Sequence, residues 1–162
     1  MNDLTPSQKG AVAEAAIAAT AMRLALVVLR PLCEGGRYDL AIDIGERLLR
    51  VQCKWASRRG SVLTAHCTTC RHTPSGYLRT TSCAGEVDAI GVYSPDTDSC
   101  YLVPIQQVEG CSAISLRLHP TRNNQAQGVR WARDYNLSAS LEQNWGLRFS
   151  ADGANQESVT DR

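Results

Sequence analysis

The segment Gly36-Arg37-Tyr38-Asp39-Leu40-Ala41-Ile42-Asp43-Ile44-Gly45-Glu46-Arg47-Leu48-Leu49-Arg50-Val51-Gln52-Cys53-Lys54 has the pattern of two β-strands joined by a tight turn. Gly45-Glu46 suits a two-residue turn with glycine at its first central position, where φ is positive. Ile44 then faces Arg47, and the register carried outward sets Asp39 opposite Gln52. Alternate residues of a strand share a face, so Lys54 joins that surface one diagonal step away. A carboxylate, an amide oxygen and an ammonium converge on one patch of sheet. Asp43 faces the same way but lies beside the turn, far from Gln52, so Asp39 is the preferred acid.

Such a patch has the parts of a metal-dependent phosphodiester site. Magnesium prefers carboxylates, carbonyls and water, and a bound divalent ion polarises phosphate and acidifies water. Asp39 and Gln52 supply side-chain oxygens, the Cys53 backbone carbonyl a third ligand, and Lys54 a cation for the charge that builds on phosphorus. Glu14, an acid on an otherwise apolar helical segment, needs a partner and is a candidate second carboxylate. An exposed hairpin whose charges pair across strands has the same pattern. The residues alone leave both readings open.

Around this hairpin the chain reads as follows. Thr5-Pro6-Ser7-Gln8 predicts a helix start, with Thr at the cap, Pro at the first position and Gln closing a capping box. The helix is expected to run to about Leu29, because Pro31 disfavours helical geometry at Arg30. Its surface is apolar nearly all round, which predicts burial against a sheet. Ser61 to Cys67 reads as a third strand completing a meander, with Arg58 and Arg59 in the loop before it. Glu86 to Tyr93, Cys100 to Val103 and Ser115 to Leu118 read as further strands, and Val129 to Tyr135 as a short helix. The plan is α/β or α+β. Residues 1–149 are expected to form a single domain, and 150–162, poor in apolar residues, a disordered polar tail.

The 162 residues carry a formal net charge of only +1, and local fields rather than totals steer a polyanion. The distribution matters more. From Arg47 to Arg79 every charged residue is basic, and from Arg117 to Arg133 there are again arginines and no acid. The apolar run from Ala11 to Leu29 contains Glu14 and Arg23, which argues against a membrane span or signal peptide. The expectation is a soluble, cytoplasmic protein.

Seven cysteines, an odd number, fit buried thiols better than a disulfide framework. Cys67-x-x-Cys70 is half of a structural zinc site, which Cys83 with His66 or His72 would complete. The usual second close pair of ligands is absent, so zinc is the lesser alternative. Arg58, Arg59, Arg71, Arg79, Arg117 and Arg122 are candidate DNA contacts. Asn123, Asn124 and Gln125 suit adenine edges or an ordinary hydrogen-bonded loop.

The series of a helix acid, Tyr38-Asp39-Leu40 and Val51-Gln52-Cys53-Lys54-Trp55 resembles the PD-(D/E)XK nuclease superfamily. It is most similar to the branch of group I intron-associated homing endonucleases, in which glutamine replaces the usual second acid. Glu86 to Tyr93, Cys100 to Pro104 and Leu116 to Gln125 also resemble stretches of that branch, so the likeness covers roughly residues 8 to 135. It implies a restriction-endonuclease-like core: a mixed β-sheet with an N-terminal helix packed on it, and short helices. It implies that Glu14, Asp39, Gln52 and Lys54 are the catalytic set, with Mg²⁺ or Mn²⁺ as cofactor and double-stranded DNA as substrate. A homo-oligomer, dimer or tetramer, is expected because a two-fold axis matches duplex symmetry. The competing expectations are a non-catalytic DNA-binding protein on the same fold and a zinc-stabilised nucleic-acid module built on Cys67, Cys70 and Cys83.

Overall fold

The computed structural model describes residues 4–33, 36–73, 76–80, 85–120 and 127–149, with backbone alone for 69–73 and 76–80. The first helix, α1, spans Pro6–Arg23 and opens on the expected capping box. The Thr5 N–H donates to Gln8 Oε1 at 2.8 Å, and the Gln8 N–H donates to Thr5 Oγ1 at 3.3 Å. Only the stripe Ala13, Ile17 and Ala21 is fully buried, while Met22 is 58% exposed. The helix therefore buries one face rather than its whole surface.

It also stops earlier than Pro31 requires. The Leu24, Ala25 and Leu26 N–H groups fold back onto carbonyls of the last turn, with Ala25 in the left-handed region at φ 60°. Val27–Leu29 then forms an edge strand, β1, paired antiparallel to β2 (Leu40–Asp43). The two β-branched valines fit a pleated edge better than another helical turn, and β2 supplies the partner.

β2 and β3 (Leu48–Arg59) are the hairpin of the opening segment. Their ladder runs from Asp43↔Leu48 to Leu40↔Val51, and Gly45 takes φ 88° at the turn. The register is the one that the turn dictates. β3 is longer than the sequence pattern indicates, and Arg58 and Arg59 belong to the strand itself, not to the loop after it. Its far end pairs with β4 (Val62–His66), and β4 pairs with β9 (Ala113–Arg117). The middle of β3 pairs in parallel with β7 (Ala89–Ser94), which pairs antiparallel with β8 (Ser99–Pro104). A separate hairpin, β5 (Thr69–Thr73) with β6 (Gly76–Thr80), was not anticipated.

The Glu86 to Tyr93 strand formally begins at Ala89, just after Asp88, whose N–H still donates to the Arg50 carbonyl at 2.9 Å and whose carbonyl accepts the Ile105 N–H at 3.0 Å. Arg37 pairs with Glu86, and Arg50 grips Asp88 from Nε and Nη2 at 3.0 and 3.2 Å. The short helix near Val129 is a 3-10 turn at Ala132–Tyr135. A second α-helix, α2 (Leu137–Trp145), follows it and ends on Gly146 in the left-handed region. Its sequence signals are Leu137 and Leu141, four apart, and the closing glycine. The expected polar tail, 150–162, lies outside the described residues.

Two cores flank the sheet. On one face Ala13, Ile17 and Ala21 of α1 and Leu137 and Leu141 of α2 pack on Leu40, Ile42, Leu49, Val51 and Leu102. Gly91 makes the close approach of α1 possible, since a Cβ there would sit 2.9 Å from Ile17 Cδ1 and 3.0 Å from Val51 Cγ1. On the other face Leu63, Ala65, Ile114 and Leu116 of β4 and β9 meet Ile90, Val92, Tyr101 and Val103 of β7 and β8. This is a mixed-sheet α+β architecture with the N-terminal helix packed on it. No helix among the described residues is long and apolar enough to cross a membrane.

Candidate active site

Asp39 lies one residue beyond the last formal β2–β3 pair. Its N–H donates to the Val51 carbonyl at 2.9 Å. Its Oδ2 accepts the Cys53 backbone N–H at 2.7 Å, which ties the carboxylate to the stretch of β3 between Gln52 and Lys54. Asp43, the other acid of that strand, accepts the Gly45 N–H at 2.8 Å and serves the turn.

Glu14 reaches the same region from α1. Burial pushes its carboxyl above the usual range, the nearby Asp39 charge adds to this, and Arg30 opposes both. Arg30 Nη2 donates to Glu14 Oε2 at 2.7 Å, so the partner that a helix acid requires is an arginine at the end of β1. Arg30 stands just before Pro31, where helical geometry is disfavoured, and that position was its one signal in the sequence. Glu14, Arg30, Tyr38 and Asp39 line an open cleft of about 480 Å³.

The Cys53 side chain is buried between these acids and the core. Desolvation first, then Asp39 and Glu14, push its thiol well above the ordinary value. The backbone of Cys53 thus touches the site while its sulfur stays a protonated core group. Gln52 and Lys54 stand on either side of it, on the opposite face of β3 from the α1 core. They pair with Ile90 and Val92 of β7 and are half-buried. They flank the Asp39 tether without lining the cleft itself. Trp55, on the helix side, meets Tyr93 edge-on at 5.7 Å.

The donor set suits a hard divalent cation. Two carboxylates facing one cleft, that of Glu14 with its proton affinity raised by burial and by the Asp39 charge, and the amide oxygen of Gln52 on the neighbouring strand offer hard oxygens. No group of three or more His, Cys, Asp or Glu side chains able to hold a metal occurs among the described residues, so such a site depends on Gln52 and backbone oxygen.

The remaining candidates are spread more widely. Arg58 Nε donates to the Gly60 carbonyl at 2.8 Å and Arg117 Nε to the His119 carbonyl at 3.0 Å. Arg71 and Arg79 lie on β5 and β6, where the backbone alone is described. Arg122, Asn123, Asn124 and Gln125 lie outside the described residues. Of the zinc candidates, Cys67 is buried, and burial raises its thiol pKa against the opposing influence of Lys54. Cys83 and the side chain of Cys70 lie outside the described residues.

The fold agrees with what comparison with known proteins shows. Residues 4–138 match the family model described as PD-(D/E)XK endonuclease. Among solved structures, the fold is similar to "The structure of a bacterial homing endonuclease: I-Ssp6803I", at 22% identity and a TM-score of 0.70. That match covers 88% of this chain and 96% of that one. Among curated proteins, none matches this sequence. With the family model spanning the helix, the hairpin and the strands that carry the site, this chain belongs to the PD-(D/E)XK endonuclease family.

Proposed function

We propose that the protein is a divalent-metal-dependent endonuclease that hydrolyses phosphodiester bonds in double-stranded DNA. The observation that carries this reading is the tether of Asp39 to the Cys53 N–H at 2.7 Å. It holds one carboxylate oxygen on β3 between Gln52 and Lys54 while Glu14 faces the same cleft. Asp39, Glu14, Gln52 and the Cys53 carbonyl would hold Mg²⁺ or Mn²⁺. When bound, the ion polarises the scissile phosphate and acidifies a water. Asp39 is oriented for this by a backbone donor that needs no side-chain rearrangement. Lys54 contributes positive charge beside the phosphate as the bond to water forms and the bond to the leaving sugar oxygen breaks.

A duplex substrate suits a two-fold assembly. The edge strand β1 exposes Val27 by 63% and Leu29 by 42%, apolar area that a second copy of the chain would cover. Light scattering on the purified protein reads the oligomeric state directly.

Nicking of duplex DNA with Mg²⁺ or Mn²⁺ tests the enzyme reading. Asp39→Asn keeps an oxygen for the Cys53 N–H, so it is expected to fold while losing activity by roughly a thousandfold, the several kcal/mol that a metal supplies. Lys54→Ala is expected to lose activity with metal binding retained. Binding without nicking by the wild type, under either metal, would instead favour a non-catalytic DNA-binding protein. The Arg30 contact on Glu14 and the neutral Gln52 support that second reading.

A further inference from the structure

We infer that the outer face of β3, β4 and β9 reads the major groove of double-stranded DNA, an inference that rests on the duplex-substrate reading above. Register places two rows across these strands. Arg59 lies opposite Val62, which lies opposite Arg117; Ser57 lies opposite Thr64, which lies opposite Ser115. Directly opposed residues share a face. The intervening residues Leu63, Ala65, Ile114 and Leu116 are each 1% exposed, within the second core. The two rows are therefore turned to solvent: Ser57, Arg59 and Ser115 are exposed, and Val62, Thr64 and Arg117 half-exposed.

Composition, size and charge all fit one occupant. The rows contain two arginines and no acid, and the chain carries no acid from 47 to 79 or from 110 to 133. Two strand spacings set the outer strands ~10 Å apart, narrower than the ~12 Å major groove. Short side chains in the Ser57–Thr64–Ser115 row let the backbone come close to the base edges, where a hydroxyl both donates and accepts. Arg59 and Arg117 stand on the two outer strands, placed to reach phosphates on either side of the groove. Among the described residues, the Arg117 guanidinium donates internally from Nε, to the His119 carbonyl. A groove of about 200 Å³ beside Val62 and Arg117 leaves this row open. Arg58 does not belong to the face: it opposes Leu63, so its position is the matched-charge control.

The test uses the full chain in EDTA, where cutting is blocked, and measures duplex binding by fluorescence anisotropy across a salt series. Arg59→Ala with Arg117→Ala is expected to reduce the slope of log affinity against log salt by about 2, one released counterion per phosphate contact, and Arg58→Ala by much less. Selection from a randomised duplex library is expected to give altered base preferences for Thr64→Val with Ser115→Ala. Circular dichroism melts matching the wild type show that these surface variants fold. An unchanged slope in the arginine double variant, or unchanged base preference in the hydroxyl double variant, overturns the inference. Plasmid nicking by the same proteins with Mg²⁺ separates the two readings. Nicking that persists with unaltered slope and preference removes the groove-reading face and leaves the nuclease standing. Duplex binding with the expected changes but no wild-type nicking removes the nuclease and leaves the face.

Discussion

Arg30 donates to Glu14 at 2.7 Å across the mouth of the cleft that also contains Asp39. The helix acid is thereby neutralised by a cation from the sheet edge, in the region where a divalent ion would otherwise balance two carboxylates.

This pairing leaves Glu14 with a raised carboxyl pKa, because burial and then Asp39 outweigh Arg30. An acid whose folded pKa lies above its unfolded value favours folding only while protonated. That contribution is present below the unfolded pKa and is lost as pH rises through the folded one. Glu14→Gln, which mimics the protonated form, is expected to melt ~1–3 °C above the wild type at about pH 8 in EDTA, a shift on the scale of a fraction of a kcal/mol in a chain of this size. The difference should vanish near pH 4. Arg30→Met is expected to lower the melting temperature at pH 8, because it removes the one favourable charge. Paired melting curves at the two pH values check both.

In the proposed metal site Gln52 would supply a neutral oxygen, where a carboxylate would bind a hard cation more strongly. Gln52→Glu is therefore expected to tighten Mn²⁺ binding by roughly tenfold, about 1.4 kcal/mol. Calorimetric titration of the apo protein measures this, and equal affinities in the two proteins would remove Gln52 from the metal site.

Gly91→Ala would push a Cβ to 2.9 Å from Ile17 Cδ1 and 3.0 Å from Val51 Cγ1. Overpacking of this kind costs about 1–3 kcal/mol, and here it also displaces the helix that carries Glu14. Ile17→Val removes the nearer methyl and is expected to recover part of the loss in the double variant. Urea unfolding of the four proteins in the cycle gives the coupling.

Asp88 joins the start of β7 to β3. It accepts the Arg50 backbone N–H at 2.8 Å and the guanidinium at 3.0 Å. Partial burial raises its pKa, but the Arg50 hydrogen bonds and charge overcome this, and the net shift is downward. The stabilisation is therefore present above the unfolded pKa and lost as pH falls through the lower folded value. Asp88→Asn is expected to cost about 1–2 kcal/mol at neutral pH, reduced by the solvent exposure of Arg50, and progressively less below about pH 4. Denaturant midpoints across that range measure the convergence.

The sequence by itself determined the features that depend on a few neighbouring residues. Thr5, Pro6 and Gln8 set the helix start because capping satisfies N–H groups within one turn. Gly45 set the turn, and the turn set the strand register that brings Asp39 beside the Gln52–Cys53 stretch of β3, since a two-residue turn admits no slippage. Only the tertiary structure decided where α1 ends: Val27–Leu29 becomes a strand because β2 offers it a hydrogen-bonding edge, which helix propensity cannot register. It also decided that Glu14 meets Arg30, sixteen residues away, and that β7 lies parallel to β3 with Gly91 beneath Ile17. Each of these contacts joins segments distant in sequence, and packing and desolvation select among their partners, whereas local backbone preference does not reach that far.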